Sequence, residues 1–152
     1  MDNDNENKSS VKNKILKEKE FKNSGFIGAI IVNIIFLYIV NNLLNWNIFF
    51  IAPTWTQVLF ILNLSIVANI LANIGFLIYQ RGWFRTLVQI ILNIIGFVVV
   101  YELYVVFPFI IQTEWIAIGL KLLLILAVIG LVVSTIIEVL RLITNNILKT
   151  NS

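Results

Sequence analysis

Four long apolar stretches, set apart by short polar connections, dominate the pattern of the chain. They run from about Phe26 to Leu44, Gln57 to Tyr79, Phe84 to Phe107 and Ile116 to Ile143. A bilayer core about 30 Å thick is crossed by roughly 20 helical residues at about 1.5 Å each. The stretches are rich in Ile, Val and Phe, which also suit buried strands, but strands run about four to eight residues between turn signals. An open sheet edge in lipid would also leave backbone groups unpaired. The expected fold is therefore all-α: a four-span antiparallel transmembrane helix bundle occupying residues 25–144. A polar basic tail (1–24) precedes it and a short tail (145–152) follows.

Helical periodicity then sorts the faces. In the second span Ser65, Asn69 and Asn73 recur every four residues, with Ala68, Ala72 and Gly75 beside them. Leu64, Val67, Ile70, Leu71, Ile74 and Ile78 gather opposite. The third span carries Gln89, Asn93 and Gly96 on one face, the fourth Ala127, Gly130, Ser134 and Glu138, and the first Gly25, Ala29 and Asn33. Polar side chains in hydrocarbon seek partners, so small and amide-bearing faces should point at neighbouring helices. Counted from the basic ends, Asn33, Asn73, Asn93 and Ser134 lie at similar depths, which suggests a polar layer with Asn69 beside it. Interhelical glue and a polar cavity for a small solute or ion are the two readings of that layer. The five residues around Asn33 and around Asn93 echo one another at an offset of 60 positions, as do Trp55 and Trp115. Ile- and Asn-rich membrane sequence produces such echoes by chance.

Composition agrees with a lipid setting. Hydrophobic residues make up 59% of the 152 and charged residues only 12%, against about a quarter charged in soluble domains. Charge placement then fixes an expected orientation. Lys8, Lys12, Lys14, Lys17, Lys19, Lys22, Arg81, Arg85, Arg141 and Lys149 fall on one side of a four-span protein, while residues 45–56 and 108–114 hold no Lys or Arg. Basic residues remain on the cytoplasmic side, so both termini are expected there, in the cell membrane. Heavy use of Ile, Asn and Lys, with their AT-rich codons, suggests a prokaryotic source. Trp46, Trp55 and Trp115 would mark the outer headgroup layer, and Tyr79 and Trp83 the inner one. The first span is longer than a signal-peptide core and lacks a small-residue cleavage site. The uncharged connection Asn45–Thr56 is expected to lie in the outer headgroup layer, with a re-entrant segment as the rival. The N-terminal lysines read as a topology signal, with attraction to anionic headgroups as the sharper alternative.

Two sets of charges stand out. Glu138 and Arg141, three residues apart, should pair along the helix near the inner interface, with Arg81 and Arg85 close enough to join them. Glu102 and Lys121 fall inside spans three and four. Intramembrane charges are costly and usually paired or functional, so an ion pair between those spans is expected, with snorkelling to the headgroups as the alternative. The pair faces a geometric difficulty, since Glu102 is about 180° round its helix from Asn93, at about 100° per residue, so it would mark either the seam between the two helices or an interface with another copy.

The chain holds neither Cys nor His. Disulfides, Cys- or His-based zinc sites, His-ligated haem, thiol relays, Cys nucleophiles and His bases are all excluded. No glycine-rich phosphate loop appears, the first span lacks the embedded Glu of small multidrug exporters, and the only aspartates are Asp2 and Asp4. No cofactor and no nucleic acid are expected. The leading expectation is a non-enzymatic membrane protein acting through helix packing, as an accessory or interaction subunit or an immunity-type protein. Its partners would be the bilayer and either itself or another membrane protein. The alternative is a small transporter or channel using Glu102, Lys121 and the Asn layer. An enzyme acting on lipids through Glu102 or Glu138 ranks last. If the fold reading holds, reporters fused to the two termini will label the same membrane face, and opposite faces would overturn it.

Overall fold

The computed structural model describes residues 23–150, with side-chain surroundings for 23–144. The lysine-rich tail and the surroundings of Lys149 lie outside the described residues. Four helices account for nearly all of the rest: α1 (Asn23–Asn42), α2 (Trp55–Ile78), α3 (Gly82–Val106) and α4 (Glu114–Thr150). All four are long and apolar enough to cross a membrane. The boundaries fall within a few residues of the expected ones, except that α4 runs on to Thr150. No Gly or Pro follows Gly130 to stop it. Its 37 residues extend about 55 Å at 1.5 Å per residue, well beyond a bilayer core.

Proline sets the end of α3. A residue before Pro is disfavoured in the right-handed helical region, and Phe107 stands before Pro108. Phe107 adopts φ 42°, ψ 66° and donates its N–H to the Leu103 carbonyl at 3.1 Å. Left-handed backbone is costly for a bulky residue. Packing of the adjoining residues holds the conformation: Pro108 is fully buried, and the Phe107 and Phe109 rings meet edge to face at 5.6 Å.

The segments after α1 and after α3 meet each other. Ala52 N–H donates to the Pro108 carbonyl at 3.1 Å and Ile110 N–H to the Phe50 carbonyl at 2.8 Å, with Ile51 and Phe109 bridged antiparallel. Tight turns absorb further donors, among them Trp46 N–H to the Asn42 carbonyl (3.0 Å) and Trp55 N–H to the Ala52 carbonyl (2.9 Å). Backbone groups that leave a helix in apolar surroundings must find protein partners, and here each connection supplies them to the other.

Packing follows chain order. Extensive contacts join α1 to α2, α2 to α3 and α3 to α4, and no other pair of described helices is extensively joined. One core cluster, Val40, Ile51, Trp55, Val58, Leu62, Ile66 and Val99, lies beneath the paired connections. A second, around Phe26, Ala72 and Phe76, lies at the opposite end with Phe84. Close approach is permitted where side chains are small: a Cβ on Gly96 would sit 3.4 Å from Leu131 of α4. Among the described side chains of α4 the buried one is Leu124, while long runs of Ile, Leu and Val stand exposed.

Trp55 differs from its expected place. It is buried at 6% exposure rather than presented at the surface, and its indole N–H donates to the Val40 carbonyl at 2.9 Å. The connection folds back over the helix ends, so a residue at the boundary in sequence becomes core in space. Trp46 and Trp115 do remain exposed, as do Tyr79 and Trp83 at the other end. Trp55→Phe should cost about 1 kcal/mol for the lost hydrogen bond, and Trp55→Ala on the order of 3 kcal/mol for the cavity as well. Denaturant unfolding in detergent micelles, followed by the remaining tryptophans, measures both.

Candidate functional site: the seam between α3 and α4

Asn93 is the most buried polar residue of the expected layer, at 5% exposure in the middle of α3. Its Nδ2 donates to Ser134 Oγ of α4 at 3.0 Å, while Gln89 Nε2 donates to Asn93 Oδ1 at 3.3 Å. A chain of three polar side chains thus ties two apolar helices together. Such bonds contribute about 0.6 kcal/mol on average in membrane bundles, with a maximum near 1.7.

The remaining amides behave differently. Asn33 Nδ2 donates to the Ala29 carbonyl (2.8 Å), Asn69 Nδ2 to the Ser65 carbonyl (2.9 Å) and Asn73 Nδ2 to the Asn69 carbonyl (2.7 Å). Each finds its acceptor one turn back on its own helix. Helical carbonyls keep a spare lone pair within reach of a side chain four residues on, so an Asn can be satisfied without a neighbour. The structure therefore joins Asn93 and Ser134 but does not link Asn33, Asn69 and Asn73 to other helices through these donors.

Three ties between helices had no forecast in sequence. Asn41 of α1 and Asn63 of α2 exchange reciprocal amide bonds at 2.7 and 3.0 Å. The Trp55–Val40 bond is a second tie. Gln80 Nε2 donates to Asn23 Oδ1 at 2.7 Å, which brings the start of α1 beside the end of α2. Nothing in the spacing of Asn41 and Asn63, 22 residues apart across a connection, marks them as partners. Only the helix pairing does.

Just beside Asn93 the seam opens into a groove of about 240 Å³. Asn93, Ile94 and Phe97 line it from α3, and Val132, Thr135 and Ile136 from α4. Most of its lining is hydrocarbon; of its polar residues, Thr135 Oγ1 donates to the Leu131 carbonyl at 2.8 Å and Asn93 gives one of its two amide N–H groups to Ser134.

The charges divide into two groups. Arg141 Nη1 contacts Glu138 Oε1 and Oε2 at 2.7 and 2.9 Å, both residues being half-buried. Arg81 and Arg85 turn to aromatic rings: Arg81 lies 5.7 Å from the Tyr79 ring centre, and Arg85 lies 5.5 and 5.9 Å from those of Phe26 and Phe76. Guanidinium groups gain from ring quadrupoles where water is scarce.

Glu102 and Lys121 do not meet. Glu138 and Arg141 form an ion pair, whereas Lys121 Nζ sits 4.9 Å from the Phe107 ring centre. Geometry gives the reason. Asn93 faces α4 through Ser134, and Glu102, nine residues on, points about 180° away at about 100° per residue. The body of α3 stands between the two charges. Among the described residues no cluster of acidic side chains could hold a metal ion.

Comparison of the chain with protein-family models, with curated proteins and with solved structures finds no match.

The contrast between the amides is measurable. Asn73→Leu should assemble and unfold like the wild type, whereas Asn93→Leu should lose stability by about 1 kcal/mol, because it leaves the Ser134 and Gln89 side chains without their partner. A double-mutant cycle on Asn93→Ala and Ser134→Ala should return a coupling of about 0.6 to 1.7 kcal/mol.

Proposed function

We propose that this chain is a non-enzymatic, multi-pass protein of the cell membrane that acts through helix packing, as an accessory or interaction subunit or an immunity-type protein. The observation that carries this reading is the state of α4. It joins the rest of the chain through α3, and its exposed apolar surface includes Leu122, Leu126, Val133 and Leu140. A long apolar helix packed extensively against α3 alone among the described helices offers its remaining faces to other membrane helices.

In this proposal the helices run antiparallel, with both termini cytoplasmic. Gln80 beside Asn23, and Asn93 beside Ser134, are the contacts that antiparallel neighbours would make. Arg81, Arg85 and Arg141 would then share the cytoplasmic end, and the charge-free paired connections the outer one. The transporter reading draws less support. Asn33, Asn69 and Asn73 direct their amide donors to their own helices, and the groove at the seam is apolar.

Capture of the intact protein from gently solubilised membranes, with mass identification, tests the proposal. The expected result is a stoichiometric membrane-protein companion, either another chain or a second copy. A lone chain whose reconstituted vesicles pass a solute, and lose that flux in Glu102→Gln, would replace it with the transporter reading.

A further inference from the structure

Two opposite charges inside the apolar spans, Glu102 and Lys121, stand apart from each other and from any ionic partner among the described residues. Glu102 meets no cation and Lys121 no carboxylate among the described residues. Charges held at membrane depth are nearly always paired or drawn to water.

Their placement is specific. Asn93 lies against Ser134 and Phe107 against Lys121. Advancing 14 residues along α3 thus retreats 13 along α4. On that register Glu102 is level with about Ile125, one turn from Lys121, or about 6 Å. A lysine side chain spans much of that distance.

Both charges also border the same uncovered surface. On α3, Leu87, Ile94, Val98, Tyr101 and Val105 form an exposed stripe. Glu102 lies along one edge of it, toward the side where Val99 joins the core with α2. The groove beside Asn93 opens at the other edge, lined there by Ile94 and Phe97 and, from α4, by Val132 and Ile136. Lys121 is 11 residues before Val132, only about 20° away at about 100° per residue, so it stands on the flank of α4 that borders this groove. The surface therefore runs from an acid at one edge, across an apolar stripe, to a base at the other.

We infer that two copies of this chain associate face to face through the exposed stripe of α3, each Lys121 pairing with Glu102 of the second copy about a two-fold axis along the membrane normal. A two-fold interface is self-complementary: a patch with a base on its right and an acid on its left meets its own copy with signs matched at both edges. Within one copy α3 separates the charges; across the axis nothing does. The inference rests on the reading of the chain as a protein that acts through helix packing, and it names a partner, a second copy.

The natural absence of cysteine makes the test clean. Val98 lies near the axis on the exposed stripe, so Val98→Cys should give a disulfide-linked dimer on mild oxidation in lipid vesicles. In that background Glu102→Lys or Lys121→Glu should lower the cross-linked fraction by about tenfold, the scale of losing two intramembrane polar contacts. The exchanged variant carrying both changes should regain it. Regain also shows that both substitutions together are compatible with the fold, and matching helical circular dichroism of the single variants shows that each is folded. Equal cross-linking in all four proteins, no cross-link at Val98→Cys, or failure of the exchange to restore it overturns the inference. If the dimer fails while a different membrane protein is captured with the chain, the functional reading stands; if neither associates, both fall.

Discussion

Backbone hydrogen bonding without access to water is the constraint that shapes this molecule. In an apolar surround every N–H and C=O must find a partner in the protein. Helices satisfy this internally, and nearly all of residues 23–150 is helical or in tight turns. The exceptions are instructive. Where the chain leaves α1 and α3, the two connections bond to each other through Ala52, Pro108, Phe50 and Ile110. That pairing ties the segment before α2 to the segment after α3, and Trp55 and Pro108 are buried beside it. The left-handed backbone at Phe107 arises at the same junction, since Pro108 disfavours the helix and the bridge requires the turn.

The same constraint decides which polar side chains link helices. An asparagine can donate to the spare carbonyl lone pair four residues back, and Asn33, Asn69 and Asn73 each place an amide N–H there. Asn93 has its donor on Ser134, at a point where Gly96 allows α4 to approach closely. Polarity alone therefore overstates the connections between helices. Packing distance selects the few that form. The outcome is serial, with a hydrogen-bonded seam between α3 and α4 and an α4 that, among the described helices, packs extensively against α3.

An uncovered helix is ordinary in lipid, which wets apolar surface as readily as another helix does. Charge changes that balance. Glu102 and Lys121 border the exposed stripe of α3, each carrying a cost that hydrocarbon does not relieve. A surface that is apolar in its middle and oppositely charged at its two edges has the symmetry of a self-interface. The charge pair is then a question of assembly, while Glu138 and Arg141, closed on each other within one helix, belong to the single chain.

Length, hydropathy and breaker residues made the four helices legible from the amino acids alone, because a membrane-spanning helix is a local property of about 20 consecutive residues. The Glu138–Arg141 pair at three residues and the exposed Leu/Ile side of α2 were legible for the same reason. Which amides bond across helices, the burial of Trp55, the Asn41–Asn63 exchange and the separation of Glu102 from Lys121 were not. The echo between the surroundings of Asn33 and Asn93 illustrates the limit: similar segments end with different partners, as do Trp55, buried, and Trp115, exposed. Sequence periodicity states which way a side chain points on its own helix, but its partner depends on which helix stands opposite and at what distance, and that is set only when the whole chain is packed.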